Sequence, residues 1–234
     1  MAGCGEPSRR HGIIDSGGAL NEYPRALRPS DGDHLVHQFP KDIGWIEVIC
    51  GSMFSGKTEE LISRIKRAVY GKQRVQVFKP KLDDRYDETQ VVSHSQLKLV
   101  STPIERAEEI FYHLSADTQV IGIDEVQFFG PEVVQVCEAL ANKGLRVICA
   151  GLDQDYQGRP FEPMPQLLAV AEYVTKELAI CVVCGNPANR SQRLVSRGER
   201  VVVGAAGAYE ARCRKCHVPE PTEATPPQTL KLFD

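Results

Sequence analysis

A chain of 234 residues is long enough to bury a core without disulfide staples, as one domain or as one domain with a small appendage. Its formal net charge of -3 leaves no electrostatic footprint for a polyanion, so nucleic acid is not an expected partner. No window approaches the roughly eighteen apolar residues of a membrane span, and the start MAGCGEPSRRHGIID lacks the apolar core of a signal peptide, so a cytoplasmic protein without membrane association is expected.

Residues 1–43 mix Gly, Pro, Arg, Ser and Asp without helical or strand period and read as a disordered extension; the tail VPEPTEATPPQTLKLFD reads the same way. Trp45 to Cys50 is an apolar run bounded by Gly44 and Gly51, which fits a strand buried on both faces. After it, Leu61, Ile62, Ile65 and Val69 fall on one helical face, and Gly71 stops that helix. RVQVFKP (74–80) is a second strand, and the polar stretch KLDDRYDETQVVSHSQ (81–96) reads as a mobile loop. IERAEEIFYHL (104–114) reads as a helix, and QVIGIDEV (119–126) as a third buried strand ending in two carboxylates. Pro131 suits the first turn of a helix running through Val134, Cys137 and Leu140 to Gly144. RVICAGL (146–152) is a fourth strand, MPQLLAVAEYV (164–174) another helix, and ELAICVV (177–183) a fifth strand that delivers Cys181. Strands alternating with helices imply a parallel sheet covered on both faces. Beyond Cys184 the helical signal vanishes, which marks a smaller second unit; within it RLVSR (193–197) and RVVVGA (200–205) read as two strands with a turn between them.

Between the first strand and the first helix lies GSMFSGKT, a match to G-x-x-x-x-G-K-[ST] in the strand-to-helix context that the motif requires. Backbone N–H groups curling around a helix start make a concave anion site, to which the helix dipole adds positive potential. The amides of residues 52–58 would hold the phosphates of a nucleotide, Lys57 would span the outer two, and Thr58 would ligate magnesium. A tight turn into a helix is the plainer alternative. Asp124, ending the strand expected to neighbour this loop, is the candidate to reach the metal, and Glu125 is placed to accept a proton from an attacking hydroxyl or to position a water. The alternative is two solvated charges at a strand end.

Of the eight cysteines, Cys50, Cys137 and Cys149 lie inside apolar runs and read as small buried hydrophobes. Cys181-x-x-Cys184 and Cys213-x-x-Cys216, with twenty-eight residues between the pairs, have the spacing of a closed four-thiolate zinc site. His217 is an alternative fourth ligand, and a redox dithiol is the rival chemistry. The zinc-tied loop could be a clip, a nucleic-acid ribbon or a lid over a second substrate; its mixed charges and single Tyr209 favour the lid over base stacking.

GSMFSGKT, DEVQFF, GLDQDYQGRPF, VAEYVTKELAICVVCG and YEARCRKCH, taken together and in this order over residues 45–217, resemble the zinc-containing cytosolic thymidine kinases. The resemblance implies a RecA-like sheet, a zinc-tethered lasso, a homotetramer, feedback inhibition by thymidine triphosphate, and transfer of the γ-phosphate of ATP to the 5′-hydroxyl of thymidine. It implies domains at 44–180 and 181–217, with the extension before and the tail after. It assigns the nucleotide site to Gly51, Ser52, Met53, Phe54, Ser55, Gly56, Lys57 and Thr58 together with Asp124, Glu125, Val126 and Gln127, with magnesium as the ATP cofactor and Glu125 as catalytic base. Met53, Phe128, Leu152 and Tyr156 match the walls around the thymine ring; Ser191, Val201, Val203 and Tyr209 match lasso positions closing over the nucleoside; Asp83 and Arg85 match a polar motif near the phosphates. Three positions depart from the family pattern: Ser52 stands where Pro is usual, Val126 where Gly is customary, adding a side chain near the acceptor site, and Gly207 where an acidic residue is common. The rival functions are a nucleic-acid-stimulated ATPase with a zinc ribbon, in which Glu125 activates water, and an inactive nucleotide-binding regulator.

Overall fold

The computed structural model describes residues 43–81, 90–92, 98–194 and 208–219. Six parallel strands form the central sheet in the order β5-β2-β6-β7-β1-β8. They are β1 (Trp45–Gly51), β2 (Val75–Pro80), β5 (Thr102–Ile104), β6 (Val120–Ile123), β7 (Arg146–Leu152) and β8 (Tyr173–Glu177). The alternation of apolar side chains in β1 feeds two cores. Ile46, Val48 and Cys50 pack on the face covered by α2 (Ile110–His113), α3 (Glu132–Asn142) and α4 (Met164–Val170), whereas Ile49 packs on the opposite face with Leu61, Ile62, Ile65 and Ala68 of α1 (Lys57–Tyr70). Helices on both faces of a parallel sheet are what the strand–helix alternation led one to expect.

Several elements differ from the sequence reading. The buried face of α1 carries Ala68 rather than Val69, which is 52% exposed. The stretch expected as a mobile loop contains β3 (Gln90–Val92), paired antiparallel with β4 (Lys98–Val100); Asp83 and Arg85 lie outside the described residues. The helix expected over 104–114 contracts to a 3₁₀ turn, Ala107–Glu109, and the single turn of α2, because Ile104 is taken into the sheet edge and the Glu109 carboxylate accepts the Arg106 N–H at 2.9 Å, starting the turn there. The helix over 164–174 stops at Val170, and Tyr173–Glu177 becomes the sixth strand of the sheet, ahead of the fifth strand expected at 177–183. An edge strand needs burial only on alternate residues, and Tyr173, Thr175 and Glu177 are half-buried while Val174 and Lys176 face solvent. Ala179–Ile180 (β9) instead pairs with Pro187–Ala188 (β10) in a small hairpin. In the second unit the described strand pair is β11 (Arg190–Arg193) with β12 (Tyr209–Arg212), outside most of the predicted 193–205; residues 195–207, with Val201, Val203 and Gly207, lie outside the described residues. Among the described residues no helix is long and apolar enough to cross a membrane.

One charge is built into the sheet. Glu47 of β1 is buried, and its carboxylate accepts from Arg146 Nε at 2.6 Å, Arg64 Nη1 at 2.8 Å and Trp45 Nε1 at 2.8 Å, while Arg64 Nη2 donates to Thr175 Oγ1 at 2.8 Å. The cluster ties β1, β7, β8 and α1 together at the end of the sheet away from the phosphate loop.

Candidate active site

The loop between β1 and α1 begins at Gly51, whose φ of 151° and packing both exclude a side chain: a Cβ there would lie 2.3 Å from the Glu177 carbonyl of β8. Lys57 at the start of α1 is buried, and its ammonium donates to the Ser52 carbonyl at 2.7 Å, folding back across the loop. Burial presses the Lys57 pKa down, opposed by the charges of Glu125, Asp124 and Asp153 around it. Among the described residues the buried Ser55 hydroxyl has no hydrogen-bond partner, which suits a donor awaiting a phosphate oxygen. Met53 N–H donates to Ser191 Oγ of β11 at 3.0 Å, and Ser52 Oγ lies 3.4 Å from the Ala188 carbonyl. The loop therefore leans on the second unit, and the Met53 amide, expected among the phosphate donors, is engaged by Ser191.

Asp124 and Glu125 follow β6, which is separated from β1 by β7 rather than adjacent to it. Reach across β7 suffices: Thr58 Oγ1 lies 3.4 and 3.5 Å from the two Asp124 carboxylate oxygens. Burial and the neighbouring Glu125 charge push the Asp124 carboxyl up to about 7, against the pull of the Glu125 N–H, Lys57 and Thr58. A hydroxyl and a carboxylate side by side, with a second carboxylate beside them, form a hard oxygen donor set that fits a magnesium ion. Glu125 sits in the left-handed region, φ 50° and ψ 39°, at the turn from β6 into a 3₁₀ segment, Val126–Phe128. Its carboxylate accepts from Gln127 Nε2 at 2.6 Å, and Gln127 Oε1 accepts from Leu152 N–H at 3.0 Å. The Val126 side chain is fully buried in the main core, so the departure from Gly at this position fills the interior rather than the acceptor site.

The expected nucleoside walls arrive from three elements. Phe128 packs edge-on to Phe161, with ring centroids 6.0 Å apart. Leu152 ends β7. Tyr156 stands on a loop turned by Asp155, whose Oδ1 accepts the N–H groups of Gln157 and Arg159 at 2.9 and 3.0 Å. Over the Tyr156 ring lies the Arg193 guanidinium, 5.0 Å from its centroid, and Arg193 is paired with the buried Tyr209 in the β11–β12 ladder. Arg190 of β11 donates to Gln154 on the same loop. Three features escaped the sequence reading: the Asp153–Lys176 ion pair at 2.6 Å beside the loop, the Arg190–Gln154 hydrogen bond, and the two hydrogen bonds of the Gln127 amide. GLDQDYQG carries an Asx-turn signal that could have located the loop, whereas the partners of Asp153 and Gln127 come from strands distant in sequence.

The four thiols of Cys181, Cys184, Cys213 and Cys216 lie within 4.8 Å of one another, with Cys184 Sγ 3.6 Å from Cys213 Sγ and 3.5 Å from Cys216 Sγ. Thiolates at the corners of a tetrahedron around zinc, at about 2.3 Å each, are about 3.8 Å apart, so the cluster fits that ion. Burial alone would raise the Cys181 thiol, but hydrogen bonds involving the backbones of Cys213, Val183 and Cys184 outweigh it and bring it down to about 6, favouring a thiolate. His217 does not join the cluster; its Nε2 lies 2.8 Å from the Tyr156 carbonyl, which can only accept, so the imidazole donates there.

A glycine loop running from a central parallel strand into a helix, faced by an acid pair on the strand one removed, defines a RecA-like α/β phosphotransfer fold, here joined to a four-thiol unit. The sequence model of the family described as thymidine kinase matches residues 44–217. The chain is 62% identical over 192 residues to the thymidine kinase of Rhodothermus sp. (strain ITI 518), an alignment covering 82% of this chain and 90% of that one. It is 58% identical over 177 residues to the thymidine kinase of Bdellovibrio bacteriovorus, covering 76% and 87%. The chain belongs to the thymidine kinase family, a family of ATP-dependent kinases.

Proposed function

We propose that the chain transfers the γ-phosphoryl group of ATP to the 5′-hydroxyl of thymidine, yielding dTMP, and works in the cytoplasm as a homotetramer with magnesium at the nucleotide and structural zinc in the second unit. The family membership supports the substrates, and the observation that carries the chemistry is the convergence of Lys57, Thr58, Asp124 and Glu125 at the carboxyl end of the parallel sheet. Thr58 and Asp124 would hold the magnesium, which would supply positive charge to offset that of the phosphates. Lys57 exchanges the Ser52 carbonyl for the outer phosphates. Glu125 accepts the proton of the nucleoside hydroxyl as the oxygen attacks the γ-phosphorus in line and the bond from that phosphorus to the departing ADP oxygen breaks. Ser191 and Tyr209 of the second unit close over a nucleoside seated against the Tyr156 wall, and exclude water that would otherwise consume ATP. Domain limits of 44–180 and 181–217 are part of this reading.

The test is transfer of labelled γ-phosphate to each common nucleoside, with zinc measured on the same sample. Thymidine-dependent product with about one zinc per chain is expected. ATP hydrolysis that ignores every pyrimidine nucleoside but responds to single-stranded DNA would reject it.

A further inference from the structure

Gln127 is 2% exposed, and both ends of its amide are committed within the protein, to the Glu125 carboxylate at 2.6 Å and to the Leu152 N–H at 3.0 Å. A carboxylate accepts and a backbone N–H donates, so only one orientation of the amide satisfies both partners, and the link is directional. The approach to β7 is so close that a Cβ on Gly151 would lie 2.6 Å from Gln127 Oε1 and 2.9 Å from Val126 Cγ1; a glycine at this position is what lets the amide reach the strand. At the other end, Glu125 is held in a left-handed backbone conformation that a residue with a side chain rarely adopts, on a chain of three rotatable bonds that would scatter its carboxylate if nothing gripped it.

We propose that Gln127 is a positioning residue, which fixes the Glu125 carboxylate relative to the Leu152 end of β7 and so registers the proton acceptor to the wall against which the nucleoside ring is seated. The inference rests on the reading of Glu125 as the base. The amide of Gln127, which the family resemblance assigns to the nucleotide site, is spent on Glu125 and Leu152, so losing the link slows phosphoryl transfer through misplacement of the carboxylate rather than through loss of nucleotide binding.

Gln127→Met keeps the length and removes both bonds; Gln127→Glu keeps an acceptor for the Leu152 N–H and loses the amide donor to Glu125. Single-turnover transfer at saturating ATP and thymidine is expected to slow by about 10–100-fold in both, with the ADP dissociation constant changed by no more than about twofold. In the Glu125→Gln background, Gln127→Met is expected to add no further loss, because the two residues act as a unit. A lowered melting temperature with an unchanged transfer rate per folded molecule would overturn the proposal, as would losses that multiply in the double variant. Near-normal transfer by Glu125→Gln alone would instead remove the base assignment beneath it, an outcome the same series separates from the others.

Discussion

At the scale of single residues, the site is defined by groups whose ordinary preferences are overridden. Glu125 takes up a left-handed turn, Lys57 is buried, and Asp124 is pushed up to about 7 beside a second carboxylate. Glu125→Gln is expected to bind ADP normally and to lose transfer by about 10²–10⁴-fold, the range for removing a general base, as read by single-turnover label transfer. Ser191→Ala leaves the Met53 N–H without its acceptor at a cost of about 1–3 kcal/mol, so ADP affinity and melting temperature should both fall, whereas Ser191→Thr, which keeps a hydroxyl, should restore them. Isothermal titration and a thermal melt check both variants. The motif residues were legible as types: GSMFSGKT and DEVQFF mark the loop between β1 and α1 and the acids after β6. The partner of Met53, 138 residues away, was not legible, because a serine in a polar stretch carries no mark of the amide it will meet.

At the scale of elements, β1 carries both the loop and the buried Glu47. Burial would raise that carboxyl, but hydrogen bonds and charge from Arg146, with Trp45 and Arg64, hold it below its ordinary 4.5. A carboxylate with a depressed folded pKa adds stability that is fully present above the unfolded value and is lost as pH falls through the folded one. Glu47→Gln removes the carboxylate charge shared by Arg146 and by Arg64, which keeps Glu60, and is expected to cost about 3–5 kcal/mol near neutrality, with the gap between the wild-type and variant melting curves narrowing below about pH 4. An unchanged gap at pH 3 would contradict this. The long periodic elements, β1, α1, α3 and β7, were readable because each buries a continuous stripe. The elements around 104–114 and 164–183 were not, since short amphipathic runs fit helix and edge strand alike, and sheet pairing decided between them.

At the scale of the whole molecule, the thiol unit and the sheet meet at the candidate site. Ala188 and Ser191 touch the phosphate loop, Arg190 and Arg193 hold the Gln154–Tyr156 loop, and His217 bonds the Tyr156 carbonyl. Stripping zinc with a chelator is therefore expected to weaken ADP binding as well as thymidine binding, although no cysteine lies in the phosphate loop, and added zinc should reverse both losses. Zinc affinity should also fall on acidification, as the thiolates take up protons. ADP affinity indifferent to chelation would mean that the loop stands without its buttress.

The sequence by itself determined the family and the residue types that gather at the candidate site, because glycine loops, paired carboxylates and C-x-x-C pairs are local patterns whose spacing already encodes their geometry. Only the tertiary structure decided which strand separates loop from acid, what engages Met53, and how Gln127 joins Glu125 to β7. These depend on strands far apart in sequence meeting in one register, and burial in the sheet turns an unremarkable Ser or Gln into a committed partner.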